Sequence, residues 1–458
     1  MGLLWGLPLL FPSLWLLPFF TLIPAAIAAN KWSAGALARA AFLACFAHHL
    51  VAVKWITTLG LFPWLLIPLI ISVELALSAT LLVWIREKTS PEWWGRVFLF
   101  PSIWFLYETL RALGPWAWTW THLSHHLTGA PSLLGGAKWI GGTGLGFVIA
   151  LIASSWSYRR RFPWTRMVVG FGLALFAGSL LIPAPTPSGT IDVAAIAHGY
   201  SVRDGWGASS ADDAATFYLR ESFGEGADII AWPESAPVAQ YPDAIVGALA
   251  RKLDTPILYG DYTYQEGNYY NLYGGADRTG EALPSYRKRV LVPMGERIFF
   301  RPFVTQFLPG YLWPEDDATP GPGDPPLSVA GTTVGPLLCW ETLFAPLARD
   351  HVLGGAEWLL AATNTSWFDP TATEMITRFQ ALRAIENGRT LLSVVTGGGS
   401  SMVDARGRNI WQASLGEDVA EVVSVPLHNT LTLYTKWGDW PLILFSVFLL
   451  GFAMIQKR

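Results

Sequence analysis

The chain has 458 residues, of which 52% are hydrophobic and only 14% charged, with 24 tryptophans. Soluble domains carry about a quarter charged residues, so an entirely water-soluble chain is a poor reading. The length allows two or more domains. The net charge of −3 gives no footprint for nucleic acid. The two distant cysteines, Cys45 and Cys339, argue against a disulfide framework.

Long apolar stretches follow one another from residue 1 to about 184, and another covers 436–454. The predicted spans are about 5–28, 36–58, 62–86, 97–113, 136–157, 167–184 and 436–454. Each is near the ~20 residues that cross a bilayer. Trp32, Trp64, Trp93, Trp94, Trp156 and Trp164 sit at their edges, as interfacial belts do. The first stretch lacks a basic leading segment and a cleavage site, so it reads as a retained helix and not a signal peptide. Read as one span or as a tight pair, it gives six or seven crossings in residues 1–184 and one more in 434–458.

Three basic clusters, WIREKTSPEWWGR (84–96), SYRRRFPWTR (157–166) and the terminal QKR, fall on one side of this arrangement. Positive loops face the cytoplasm, so residues 185–433 are expected outside it. Within the spans, Glu108 and Arg111 share a helix face and are expected to pair. Glu74 has no evident partner. THLSHH (121–126) lacks an acidic cluster to complete a metal site and reads as an interfacial loop; no metal or cofactor is expected. GGTGLG (141–146) follows no strand, so it reads as close helix packing and not as a nucleotide loop.

After the linker PAPTPSG (183–189), the pattern changes. Strand-like runs are IDVAAIAH (191–198), ADIIAW (227–232), TPILYGDYTY (255–264), TTVGPLL (332–338), EWLLAATN (357–364) and TLLSVVTG (390–397). Met375, Ile376, Phe379, Leu382 and Ile385 recur at helical spacing between the last two. Strands alternating with helices predict an α/β domain over 185–433.

Functional residues in such domains lie past the carboxyl ends of strands. Glu234 follows ADIIAWP, Lys288 lies in SYRKRVLVPMGE, and Cys339 follows TTVGPLL. A thiol with an ordinary pKa of about 8.5 is mostly protonated at neutral pH. A carboxylate can take that proton and return it to a leaving group. A lysine ammonium can stabilise the oxyanion of a tetrahedral intermediate. The trio suits acyl transfer or C–N hydrolysis through a thioester. Spacing alone does not bring the three together, and a buried small hydrophobe remains the other reading of Cys339.

AWPES with Glu234, SYRKRVLVPMGE with Lys288 and LLCWE with Cys339 resemble the three signatures of the nitrilase superfamily. They are most similar to its membrane-bound branch, the apolipoprotein N-acyltransferases, which carry WPE, YxKxxLVPFGE and CYE in that order. The resemblance extends to YETLRALGPW (107–116), YYNLYGG (269–275), NTSWF (364–368) and RFQALRAIENGR (378–389). It implies an α-helical transmembrane bundle plus an α/β nitrilase-like αββα sandwich. It also implies Glu234 as general base, Lys288 as oxyanion stabiliser and Cys339 as nucleophile, with Glu296 and Glu341 supporting. The implied donor is a phospholipid and the acceptor a diacylglyceryl-modified apolipoprotein. The implied place is the bacterial inner membrane, multi-pass, with the catalytic domain periplasmic. A membrane-tethered amidase is the alternative of the same chemistry. A conjugation-associated relative without activity is a third reading, and the intact trio speaks against it.

Three departures bear on specificity: Trp340 for the family's Tyr, Met294 for its Phe, and TGGGSS (396–401), with Gly397–Gly399, for a more typical NTG stretch. RIFFRPFVTQFLPGYLW (297–313) is aromatic and sparsely charged. Phe299, Phe303 and Phe307 are expected to form a lipid-entry loop, with packing under the domain as the plainer alternative. Glu386 and Arg389 are expected to support the domain.

Overall fold

The computed structural model describes residues 2–200, 208–223, 226–236, 242–307 and 315–455. The chain forms two compact units: Met1–Leu113 with Trp118–Ala184 and Thr432–Arg458, and Gly114–Ala117 with Pro185–Leu431. The first unit is helical: α1 (Gly2–Leu10), α2 (Leu17–Lys31), α3 (Ala34–Ala52), α4 (Leu61–Lys88), α5 (Arg96–Arg111), α6 (Ala137–Tyr158) and α7 (Thr165–Gly178). The last two helices of the chain, α13 (Leu433–Trp437) and α14 (Trp440–Ile455), also belong to it.

Three of these helices, α3, α4 and α6, are long and apolar enough to cross a membrane. Leu61, Leu77, Met167, Phe171 and Phe448 point outward from this unit. Each such side chain would forgo about 1.5–3 kcal/mol if left in water, so the surface suits lipid. This is a membrane protein. The first apolar stretch is a pair of helices and not one span. Its chain is interrupted at Phe11–Leu16, where Pro12 opens a short 3-10 turn.

Two expectations inside this unit need correction. Glu108 does not pair with Arg111: its Oε1 accepts from Trp104 Nε1 at 3.1 Å and from the Leu123 N–H at 2.6 Å. Arg111 instead lies 3.8 Å from Glu74, which thereby gains its partner from the neighbouring helix. The histidine loop is packed inside this unit. His122, His125 and His126 are buried, and His49 Nε2 shares a 2.7 Å hydrogen bond with Thr121 Oγ1. No group of three or more His, Cys, Asp or Glu among the described residues could hold a metal. The GGTGLG run is a packing device. Gly141, at φ +74°, lies where an added Cβ would meet the Tyr434 ring at 2.4 Å.

The second unit contains α8 (Ala208–Glu221), α9 (Pro242–Leu253), α10 (Arg301–Phe307), α11 (Ala345–Leu353) and α12 (Pro370–Asn387). Its first six strands are β1 (Gly189–Ala197), β2 (Ile229–Ala231), β3 (Ile257–Gln265), β4 (Asn268–Ala276), β5 (Ala282–Arg287) and β6 (Leu327–Val329). The rest are β7 (Thr332–Leu338), β8 (Trp358–Asn364), β9 (Leu391–Thr396), β10 (Ser401–Val403), β11 (Asn409–Gln412) and β12 (Val419–Leu427). They form two six-stranded sheets, ordered β12-β1-β2-β3-β4-β5 and β11-β10-β9-β8-β7-β6.

Strand periodicity explains the layers. Val193, Ala195 and Ala197 of β1 pack between the sheets with Leu338, Leu360 and Val394 of the other sheet. Ala194 and Ile196 face the opposite way, with Phe217 of α8 and Val246 of α9. Helices α11 and α12 contact β7 and β9 of the other sheet. The parallel neighbours β1-β2-β3 and β7-β8-β9 are covered on both faces. That is why their sequences read as near-continuous apolar runs.

Candidate active site

Four strand ends and a strand interior supply the site. Glu234 follows β2 by three residues, Lys288 follows β5 directly, Cys339 follows β7 directly, and Asn364 ends β8. Asn271 lies within β4. Gly260 on β3 allows the Glu234 turn to come close, since a Cβ there would sit 2.7 Å from the Glu234 Cα. Lys288 is fixed through its backbone: its N–H donates to the Asn271 carbonyl at 2.8 Å, and its carbonyl accepts from Gly321. Cys339 opens a short 3-10 turn at φ +48°, a left-handed conformation that costs a non-glycine residue about 1–2 kcal/mol. Such strain at a strand-to-helix turn is characteristic of functional positions.

The charged groups converge. Lys288 Nζ donates to Glu234 Oε1 and to Glu296 Oε1, both at 2.9 Å. Asn271 Nδ2 spans the same two oxygens at 2.7 Å each. Glu296 is held further by the Val292 N–H at 2.7 Å on Oε2 and by the Tyr262 hydroxyl at 2.8 Å on Oε1. Glu234 Oε2 receives a single longer bond, 3.2 Å from the Asn364 N–H. Glu296 thus receives four hydrogen bonds, whereas Glu234 receives three and the one on its Oε2 is long.

Lys288, Glu234, Glu296 and Cys339 are all buried. Burial alone would lower the Lys288 ammonium pKa, but Glu234 and Glu296 outweigh it and hold the value above the ordinary lysine range. Burial pushes the Glu296 carboxyl up, while Lys288 and the Val292 and Asn271 donors pull it below the ordinary range. The Cys339 thiol is pushed up by burial and by Glu234; Lys288 opposes this, and so does the Asn364 N–H. The sulfur is therefore held as a protonated thiol. The Asn364 N–H serves both Glu234 Oε2 and the Cys339 sulfur, which sets the carboxylate beside the thiol.

Glu341 has a different place. Its Oε1 accepts from the N–H groups of Arg289 at 2.6 Å and Val290 at 3.1 Å, and its Oε2 from the Leu338 N–H at 3.0 Å. The Tyr286 hydroxyl reaches both oxygens. One fully buried carboxylate therefore ties the backbone after Lys288 to the backbone before Cys339.

Two family models match the chain: Apolipoprotein N-acyltransferase N-terminal domain over residues 1–155, and Carbon-nitrogen hydrolase over 212–431. Curated proteins named apolipoprotein N-acyltransferase align along most of its length. That of Pseudomonas putida is 26% identical over 404 residues, covering 82% of this chain and 77% of its own. That of Shewanella oneidensis is 28% identical over 424 residues, covering 86% and 80%.

The chain is similar to the apolipoprotein N-acyltransferases along most of its length.

Among solved structures, an amidase from Nesterenkonia sp. aligns over 54% of this chain and 94% of its own at 20% identity, with a TM-score of 0.39, too distant to add to the assignment. The departures from the apolipoprotein N-acyltransferase pattern all have defined places. Trp340 is buried next to Cys339 in the chain, its ring 6.4 Å from Phe344. Met294 adopts φ +65° and donates its N–H to the Arg297 carbonyl. Gly397, Gly398 and Gly399 all have positive φ in the turn from β9 to β10, where a Cβ on Gly398 would lie 2.1 Å from the Gly416 nitrogen.

Of the aromatic stretch, Phe299 is half-buried and packs 4.2 Å from Trp116, outside the core between the sheets. The side chains of Phe303 and Phe307, and residues 308–314, lie outside the described residues. Arg389 donates to the carbonyls of Ala356 and Thr430, each at 2.7 Å, and Glu386 pairs with Arg383 at 2.8 Å. Neither joins the cluster around Lys288. The residues missed by sequence reasoning are Asn271, Tyr262 and Asn364. Asn271 and Asn364 stand inside YYNLYGG and NTSWF, the segments that already carried the family likeness. Tyr262 had no signal beyond its place in a strand.

Proposed function

We propose that this chain is an N-acyltransferase that moves a fatty acyl chain from a phospholipid to the amino terminus of a diacylglyceryl-cysteine lipoprotein, with Cys339 as the acyl carrier. Glu234 takes the Cys339 proton as the sulfur attacks the ester carbonyl and the C–S bond forms. The oxyanion is stabilised by Lys288. Collapse breaks the ester C–O bond, Glu234 returns the proton to the leaving alkoxide, and a lysophospholipid departs. The acceptor amine then attacks the thioester, Glu234 takes the amine proton, the C–N bond forms, and the C–S bond breaks as Glu234 passes that proton to the sulfur, regenerating the thiol and the carboxylate.

The observation that carries this reading is the double bridge of Lys288 and Asn271 across Glu234 and Glu296, set beside a buried thiol. Glu296 and Glu341 act as supports. The aromatic stretch at 297–313 serves acyl entry, and Phe299 with its Trp116 neighbour supports that role. The basic clusters at 84–96 and 157–166 support a multi-pass protein of the bacterial inner membrane, with the α/β unit periplasmic.

Purified protein supplied with phospholipid and a diacylglyceryl-cysteine lipopeptide should yield an N-acylated lipopeptide and an equal amount of lysophospholipid. Free fatty acid with the lipopeptide amine unchanged, or ammonia release from simple amides, would make the chain a hydrolase.

A further inference from the structure

The two site carboxylates receive the same Lys288 and Asn271 donors, yet they are not equivalent. Glu296 Oε1 has a third donor, the hydroxyl of Tyr262 at 2.8 Å. That hydroxyl also lies 2.9 Å from Asn271 Nδ2. The amide has only two protons, and Glu234 Oε1 and Glu296 Oε1 are both closer to it, at 2.7 Å. The phenol proton therefore points at Glu296.

Burial, followed by the charges of Glu296 and Glu234, holds the Tyr262 phenol well above its ordinary range, so it remains a donor throughout the working pH range. The ring is fixed by its stack on Tyr269, centroids 5.5 Å apart, across the β3–β4 pairing. The titratable groups that face Glu296 are Lys288, Glu234, Tyr262, Cys339 and Tyr269.

We infer that Tyr262 is a positioning residue of the acyl-transfer site: its hydroxyl keeps Glu296 an anion and so leaves Glu234 as the carboxylate that accepts the Cys339 proton. The inference rests on the Cys339 reading given above. Without the phenol proton, Glu296 takes up its proton at higher pH; below that pH Lys288 turns to Glu234 alone and makes it a poorer base, so the acidic limb follows the Glu296 proton. Tyr262→Phe removes one oxygen and leaves the stacked ring in place.

The test uses the full-length protein in detergent and p-nitrophenyl butyrate, an activated ester that acylates a nucleophilic thiol without reference to phospholipid or acceptor. The burst of p-nitrophenolate reads thioester formation at each pH, and its amplitude reads the fraction of folded sites. In Tyr262→Phe the burst rate should fall about tenfold to a hundredfold, the worth of one hydrogen bond to a charged group. The acidic limb of its pH profile should move up by about one unit, with the amplitude kept. Tyr264→Phe, which removes a surface hydroxyl bound to Asp316 two residues along the strand, should leave both unmoved. A Tyr262→Phe profile that overlays the wild type, or a loss of amplitude with an unmoved limb, would overturn the assignment. A wild type without any burst would overturn it together with the role of Cys339, whereas a burst without acylation by phospholipid would count only against the lipid donor.

Discussion

Each unit buries one free cysteine and a set of polar side chains, and the two sets are wired differently. In the helical unit Cys45 lies within α3, where its sulfur is 3.4 Å from His49 Nδ1, one turn along the same helix. The neighbouring polar groups are held in ones and twos: Glu108 accepts from Trp104 and the Leu123 N–H, and His49 shares a bond with Thr121. In the α/β unit Cys339 lies in a strained turn, and the groups around it come from five different strands or strand ends. A cation is shared by two carboxylates there, and Glu234 Oε2 shares its Asn364 N–H donor with the thiol. Burial of polar atoms is common to both sets. What distinguishes a site is that distant segments converge on one atom.

That contrast is most easily broken at Lys288. Lys288→Met leaves two buried carboxylates without their shared cation, so it should cost about 3–5 kcal/mol of stability and abolish thioester formation. Thermal unfolding in detergent and the ester burst would read the two effects. A variant as stable as the wild type would mean that the cluster is wetter than its burial indicates. Glu341→Gln is the next largest. It replaces one acceptor oxygen by an amide facing backbone N–H groups, and should cost about 1–3 kcal/mol. The burst rate should also fall, because the turn before Cys339 and the chain after Lys288 are no longer held together.

A smaller effect sharpens the comparison through pH. Glu296 is held below the ordinary carboxylate range, so it binds its proton more weakly folded than unfolded. Its contribution is complete above the unfolded value of about 4.3 and is lost as pH falls through the folded value. The melting temperature of the wild type should therefore drop more steeply between about pH 5 and 3 than that of Glu296→Gln. Equal slopes would place the Glu296 charge outside the stabilising set.

Much of this was legible in the sequence because it is local. The apolar runs of β1, β2, β7 and β8 follow from burial, and the positions of Glu234 and Cys339 past strand ends follow from those runs, whereas strand β5 before Lys288 was not among the predicted runs. Glu341 as a support, tied to its own turn at Leu338, fits the same logic. What stayed hidden depends on pairing between distant segments. Tyr262 meets Glu296 only because β3 pairs with β4 and the chain beyond β5 returns to the same place. Glu74 meets Arg111 because α4 and α5 are neighbours, a fact no spacing within either helix reveals. The histidine loop showed its polarity in the sequence but not its packing against His48 and His49.

The most direct test is to mix the full-length protein with phospholipid, omit any acceptor, and measure the intact mass. One fatty-acyl adduct, labile to hydroxylamine, should form on the wild type and on Cys45→Ala, and should be missing from Cys339→Ser. An adduct that survives in Cys339→Ser, or that disappears in Cys45→Ala, would contradict Cys339 as the acyl carrier.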